Sequence, residues 1–157
     1  MAEKLTCSRS LRVIGQILET RGVDLFEIRG QGETFALQFG DPSPPHLAVI
    51  DLNFSAADLR SLDLQARTKR QASFTFVNFS GIAEILRALG RRVESKEGRL
   101  LRICNYESPS TDDTIRLEYQ SGDGRRCVEE LSPAALADDA MRMYRDRSRM
   151  RRERSDS

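Results

Sequence analysis

The chain has 157 residues, 39% hydrophobic and 31% charged, with 25 basic against 24 acidic side chains and a net charge of +1. That is enough for one sizeable core or two small ones sharing a face, and the composition lies outside the disordered regime. The near balance of charge leaves no global field to draw in nucleic acid or an acidic membrane, and no apolar run approaches the roughly 18–20 residues a membrane-spanning helix needs.

An amphipathic helix comes first: Leu11, Ile14 and Leu18 recur at helical spacing with Ile17 beside them, and Gly22 supplies a left-handed stop. A strand is predicted over 23–29, with Phe26 and Ile28 on one side, followed by a Gly30-Gln31-Gly32 turn. The next strand, 34–39, alternates: Phe35, Leu37 and Phe39 inward, Thr34, Ala36 and Gln38 outward. A proline-rich loop over 41–45 leads to a third strand at 47–52. Ser55 then caps a helix whose Asp58 completes a capping box and whose inner face is Leu59, Leu62 and Ala66.

Much of this returns. LRVIGQILE at 11–19 is echoed by LRALGRRVE at 86–94, TFALQF at 34–39 by TIRLEY at 114–119, and SAADL at 55–59 by SPAAL at 132–136. In the second copy Ile82, Ile85, Leu86, Leu89 and Val93 form the helical stripe and Gly98 ends it. Strands follow at 100–104, with Leu101 and Ile103 inward, and around Ile115, Leu117 and Tyr119. The turn Ser121-Gly122-Asp123-Gly124 leads to a third strand at 127–131. Ser132-Pro133 opens the last helix, serine as cap and proline in the first turn.

The pattern predicts an α+β fold: a tandem duplication of a helix–three antiparallel strands–helix unit. A three-stranded sheet is marginal alone, so the two copies are expected to pack about a pseudo-twofold axis as one six-stranded antiparallel sheet with helices on one face. Residues 1–72 form the first copy, 73–79 (SFTFVNF) an extended connector, 80–150 the second copy and 151–157 a basic disordered tail; the two copies make one compact unit. Gly15 and Gly90 share a repeat position in mid-helix, where glycine costs about 1 kcal/mol relative to alanine. Close approach of helix to helix, or of helix to sheet, explains that cost; inheritance with no present role is the alternative.

This order of elements resembles the double-stranded-RNA-binding domain and the Alu-binding subunits of the signal recognition particle, in element order only. The lysine-rich helix start of the former is replaced here by Ser55-Ala56-Ala57-Asp58, with an acid, so no binding residue carries over.

Catalytic and metal-binding patterns are scarce. His46 is the one histidine, and no His/Cys/carboxylate spacing suggests a metal site. There is no GxSxG elbow or Walker loop, and Gly30-Gln31-Gly32 leads into a strand, not the helix that phosphate cradling needs. Glu129 and Glu130 fall on opposite faces of a strand, and Asp112-Asp113 in a polar turn. No catalytic residue, cofactor or metal is expected. Three cysteines, Cys7, Cys104 and Cys127, without a CxxC or a signal-like start, fit a reducing, cytoplasmic setting, with Cys104 and Cys127 as buried thiols.

Binding surfaces remain. Residues 141–157 hold seven arginines against three acids, giving that stretch +4 and the rest of the chain −3. Arg142, Arg145, Arg147, Arg149, Arg151 and Arg152 are the candidate phosphate ligands, since the guanidinium fork donates two hydrogen bonds. Arg91-Arg92, Arg125-Arg126 and the Arg67, Lys69, Arg70 cluster add to them. The aromatic residues Phe26, Phe35, Phe39 and Tyr119 all fall on the core side, so the sheet offers no stacking platform for bases and any nucleic-acid contact runs through phosphates. The last helix carries an apolar stripe, Leu136, Ala140, Met143 and Tyr144, which packs into the core or meets a partner. The leading expectation is a non-catalytic binding or adaptor module with a protein partner; the alternative is a nucleic-acid-binding protein using its arginine-rich C-terminal helix.

Overall fold

The computed structural model describes residues 5–23, 25–40, 49–72, 81–105 and 114–155, with only the backbone described at 49, 66–72, 143, 144 and 147–155. The proline-rich loop, His46, the 73–79 connector and Asp112-Asp113 lie outside the described residues.

The first unit comprises α1 (Cys7–Arg21), β1 (Phe26–Gln31), β2 (Thr34–Gly40), β3 (Val49–Phe54) and α2 (Ala56–Ala72). The second comprises α3 (Ile82–Ser95), β4 (Arg99–Cys104), β5 (Ile115–Gln120), β6 (Arg126–Leu131) and α4 (Pro133–Ser155). The strands form one six-stranded sheet in the order β3-β2-β1-β4-β5-β6, antiparallel throughout. Each set of three is an antiparallel meander, with short turns joining β1 to β2 and β5 to β6, and β1 pairing with β4 joins the two sets at the centre of the sheet.

Period-two alternation then divides the side chains between two faces. Leu52, Leu37, Ile28, Ile103 and Leu117 lie opposite one another in a row across five strands. Leu37, Ile28, Ile103 and Leu117 share one buried cluster with Leu11, Ile14 and Leu18 of α1, Leu59 of α2, Leu86, Leu89 and Val93 of α3, and Leu136 of α4, and the partly buried Leu52 packs against it. On β6 the row ends at Glu129, which sits opposite Leu117 and pairs with Arg92 of α3 at 3.3 Å. Glu130 lies opposite Arg116 on the other face, as the strand alternation requires.

The two leading helices pack closely. A Cβ placed on Gly15 would lie 2.5 Å from the Cα of Ala83, and one placed on Gly90 would lie 2.7 Å from the backbone nitrogen of Ser8. Each helix also caps the other: Glu94 Oε1 accepts from the Ser8 N–H at 2.8 Å, and Glu19 Oε1 accepts from the Ala83 N–H at 3.1 Å. The second contact supplies what α3 lacks, because its own N-cap, Gly81, has no side-chain acceptor.

Local signals largely hold. Gly22 closes α1 at φ 65, Ser55 and Asp58 exchange the two capping-box hydrogen bonds, and Ser132 Oγ accepts from the Ala135 N–H at 3.1 Å. Several boundaries differ. β1 starts at Phe26, not 23, and continues through Gly30 and Gln31, so the turn falls at Gly32, with φ 68. β3 is displaced to Val49–Phe54. At the end of α3 the left-handed residue is Glu97, with φ 50, not Gly98. Gly98 answers a spatial demand instead: a Cβ there would lie 2.9 Å from the Gln120 carbonyl oxygen. On β4 a register shift between Leu100 and Arg102 makes Leu101 the extra residue of a bulge, so Leu100 takes the inward place beside Ile103. α4 runs to Ser155, taking in residues 151–155 of the expected tail; four of those five are Arg or Glu, which are good helix formers.

Candidate binding surfaces

The face of the sheet away from the helices is built from the polar positions of the same alternation. Arg29 and Arg102 lie opposite each other on β1 and β4, and Arg102 lies opposite Glu118 on β5. Glu27, one step along β1, accepts from Arg102 Nε in a short ion pair and from Arg29 at 3.3 Å. Arg102 also reaches Glu118 at 3.6 Å, and Glu118 receives Arg126 at 3.0 Å and Arg116 at 3.8 Å. Two carboxylates thus organise four guanidinium groups across β1, β4, β5 and β6.

The depth of these groups differs. The side chains of Glu27 and Glu118 are almost fully buried, whereas those of Arg29 and Arg126 are 59% and 69% exposed. Burial pushes the Glu27 carboxyl up, but the Arg102 hydrogen bond and the charges of Arg102 and Arg29 outweigh it and hold its pKa below the ordinary glutamate value. The carboxylates are anchors, and the outer arginines keep donors facing solvent. The four arginines outnumber the two buried carboxylates they surround, while Glu130, opposite Arg116, and Asp51, opposite Gln38, add two further acids to the same face. Phe26, Phe39 and Tyr119 are buried and Phe35 packs against the core, so base stacking has no aromatic surface here.

The arginines proposed from sequence divide. Arg142 and Arg145 are exposed on α4, and Arg142 pairs with Asp139 at 2.7 Å. The side chains of Arg147, Arg149, Arg151 and Arg152 lie outside the described residues, as do those of Arg67, Lys69, Arg70, Met143 and Tyr144. Arg92 is engaged by Glu129 and Asp139, and Arg126 by Glu118. Leu136 and Ala140 are buried, which assigns that part of the stripe to the core. Sequence reasoning missed the arginine belt. Its signal was present in Glu27-Ile28-Arg29, Arg102-Ile103 and Arg116-Leu117-Glu118, where charges flank each central core residue.

Two clefts open at opposite ends of β1. One, of about 290 Å³, lies between the starts of α1 and α2 and the β1–β2 turn, with Cys7, Ser10, Phe35 and Ala56 in its wall. The other, of about 360 Å³, lies between the starts of α3 and α4, with Ile82, Ile85, Ile115 and Pro133 in its wall. Burial, and then the charge of Glu94, push the Cys7 thiol up to about 12, so it stays protonated at neutral pH and is a poor nucleophile. Among the described residues no group of three or more His, Cys, Asp or Glu is placed to hold a metal ion, and no helix is long and apolar enough to cross a membrane.

A scan against protein-family models, a search of curated proteins and a search of solved structures each returned no match.

Proposed function

We propose that the protein is a non-catalytic binding module of the cytoplasm, which holds an acidic segment of a protein partner against the open face of its sheet. The observation that carries this reading is the belt of Arg29, Arg102, Arg116 and Arg126 around the buried Glu27 and Glu118. An arginine gripped on one edge of its guanidinium fork is held in place while its remaining N–H groups stay available. The free thiols of Cys7, Cys104 and Cys127 fit a reducing compartment. Fluorescence anisotropy with a labelled poly-glutamate peptide tests the proposal. Binding that weakens with salt and is lost in the Arg29→Glu/Arg126→Glu double variant supports it; undiminished binding by that variant overturns it.

A second reading rests on α4. Arg142 and Arg145 are exposed, and positions 142, 145, 149 and 152 follow a three-four-three spacing that puts them on one side of a helix. Such a stripe suits the phosphates of a nucleic acid. Titration with single- and double-stranded RNA and DNA at two salt concentrations separates the two readings. Nucleic-acid binding lost in Arg142→Glu/Arg145→Glu, but kept in Arg29→Glu/Arg126→Glu, favours the helix.

We also infer that the chain arose by tandem duplication and that its halves are related by a pseudo-twofold axis. Three sets of contacts support this. Gly15 meets Ala83 as Gly90 meets Ser8, with the same offset of 75 in both members of each pair. Glu19 caps α3 as Glu94 caps α1, again 75 apart. Ile28 and Ile103, also 75 apart, lie directly opposite each other on β1 and β4, as residues beside such an axis would. The two clefts follow the same logic, positions 7, 10, 35 and 56 lining one and 82, 85, 115 and 133 the other.

A further inference from the structure

β6 is the last strand on one side of the sheet, and Arg126, Val128 and Glu130 are exposed along it. The ladder to β5 fixes which main-chain groups that edge presents. The Ser121 N–H donates to the Arg125 carbonyl at 2.8 Å, so these two residues face each other as a hydrogen-bonded pair. Such pairs alternate with non-bonded ones along an antiparallel ladder. Cys127 and Glu129 therefore direct their N–H and C=O groups at β5, while those of Arg126, Val128 and Glu130 point away from the sheet. The same three residues set their side chains on the arginine face, in the order positive, apolar, negative. Val128, between the two charges, is 48% exposed. Glu130 stands opposite Arg116, but Arg116 turns to Glu118.

From this edge we propose that the protein dimerises by pairing β6 antiparallel with β6 of a second copy, Val128 facing Val128 across a twofold axis. Residues exchange hydrogen bonds only where the main-chain groups of both point outward, so the register moves in steps of two. One register pairs all three outward residues. It sets Arg126 opposite Glu130 of the second copy and Glu130 opposite Arg126 of the second copy, with the two valines in contact between them. A shift to either side sets Val128 against a charge and leaves another charge without a facing partner. The opposite edge of the sheet is built differently. On β3 the place of Val128 is taken by Asp51, one residue before Leu52 of the core row as Val128 is one before Glu129. The same self-pairing of β3 would set Asp51 against Asp51, a like-charge pair that opposes it. A contact through β6 alone is isologous, so it closes as a dimer and does not extend into a fibre. The interface does not depend on what the arginine belt binds.

Sedimentation equilibrium of the full chain over a concentration series tests this. The wild type should reach the mass of a dimer. Arg126→Glu and Glu130→Arg, each alone, set like charges opposite each other twice and should weaken self-association about tenfold or more. Mixed together, the two variants should recover the dimer, because every charge then faces its opposite. Val128→Pro removes an outward N–H, leaves the ladder to β5 intact and should give a monomer. A wild type that stays monomeric at millimolar concentration, a dimer that survives Val128→Pro, or a mixture no more associated than the separate variants overturns the proposal.

Discussion

Gly15 faces the backbone of Ala83 so closely that a Cβ on the glycine would lie 2.5 Å from the Ala83 Cα. At an exposed mid-helix position, replacing glycine with alanine stabilises by about 1 kcal/mol. Here the sign reverses, because the added methyl meets main chain that cannot rotate away. Gly15→Ala should destabilise by roughly 2 kcal/mol through overpacking, a fall in Tm of about 4–8 °C for a chain of this size. Gly90→Ala, facing Ser8, should behave alike. Thermal melts decide it: a raised Tm in either variant contradicts close packing of α1 on α3.

The crossed caps give a second prediction. Glu94→Ala removes one acceptor from the start of α1, where Thr6 still accepts from the Arg9 N–H at 3.3 Å. Glu19→Ala removes the side-chain cap of α3, whose Gly81 offers no replacement. The first substitution should cost about 1 kcal/mol and the second about 1.5 kcal/mol. The caps lie at opposite ends of the helix pair, so the double variant should lose close to the sum. Urea unfolding of the three variants measures this; a larger loss from Glu94→Ala than from Glu19→Ala goes against the assignment.

The Glu27 carboxyl makes stability depend on pH. Its pKa is lowered in the folded protein, so its stabilisation is complete above the unfolded value of about 4.5 and is lost as pH falls through the folded value. Glu27→Gln leaves Arg29 and Arg102 facing a neutral amide. The cost at pH 7 should be roughly 2–3 kcal/mol, below that of a fully buried pair because Arg102 keeps Glu118. Urea melts from pH 7 to pH 3 should show the gap between wild type and variant closing below about pH 4.5. A gap that stays constant, or widens in acid, refutes the role given to Glu27.

Much of the architecture was legible because its signals are local. Ser55 and Asp58 announce a capping box three residues apart, Gly22 a helix stop, and Phe35, Leu37 and Phe39 one side of a strand. The repeat of Gly15 at Gly90 foretold a packing constraint, though not the partner residue. The features that escaped depend on register between distant segments. Arg102 is an unremarkable strand arginine until β1 pairs with β4 and sets it between Glu27 and Glu118. The bulge at Leu101 and the left-handed Glu97 are likewise imposed by neighbours: a Cβ on Gly30 would collide with the Leu100 carbonyl, and Gly98 must fit against Gln120. The arginine-dense helix dominated the sequence reading because its charges are contiguous, whereas the belt is assembled from three separated strand segments and Arg126.

The binding face itself is open to direct mapping. Amide shifts of the ¹⁵N-labelled protein, followed during titration with a poly-glutamate peptide at low salt, report which surface the acidic chain covers. The proposal predicts shifts clustered at Arg29, Ala36, Arg102, Glu118 and Val128, which lie in one row across β2, β1, β4, β5 and β6. Shifts confined to α4, or no saturable shift in that row, would contradict it.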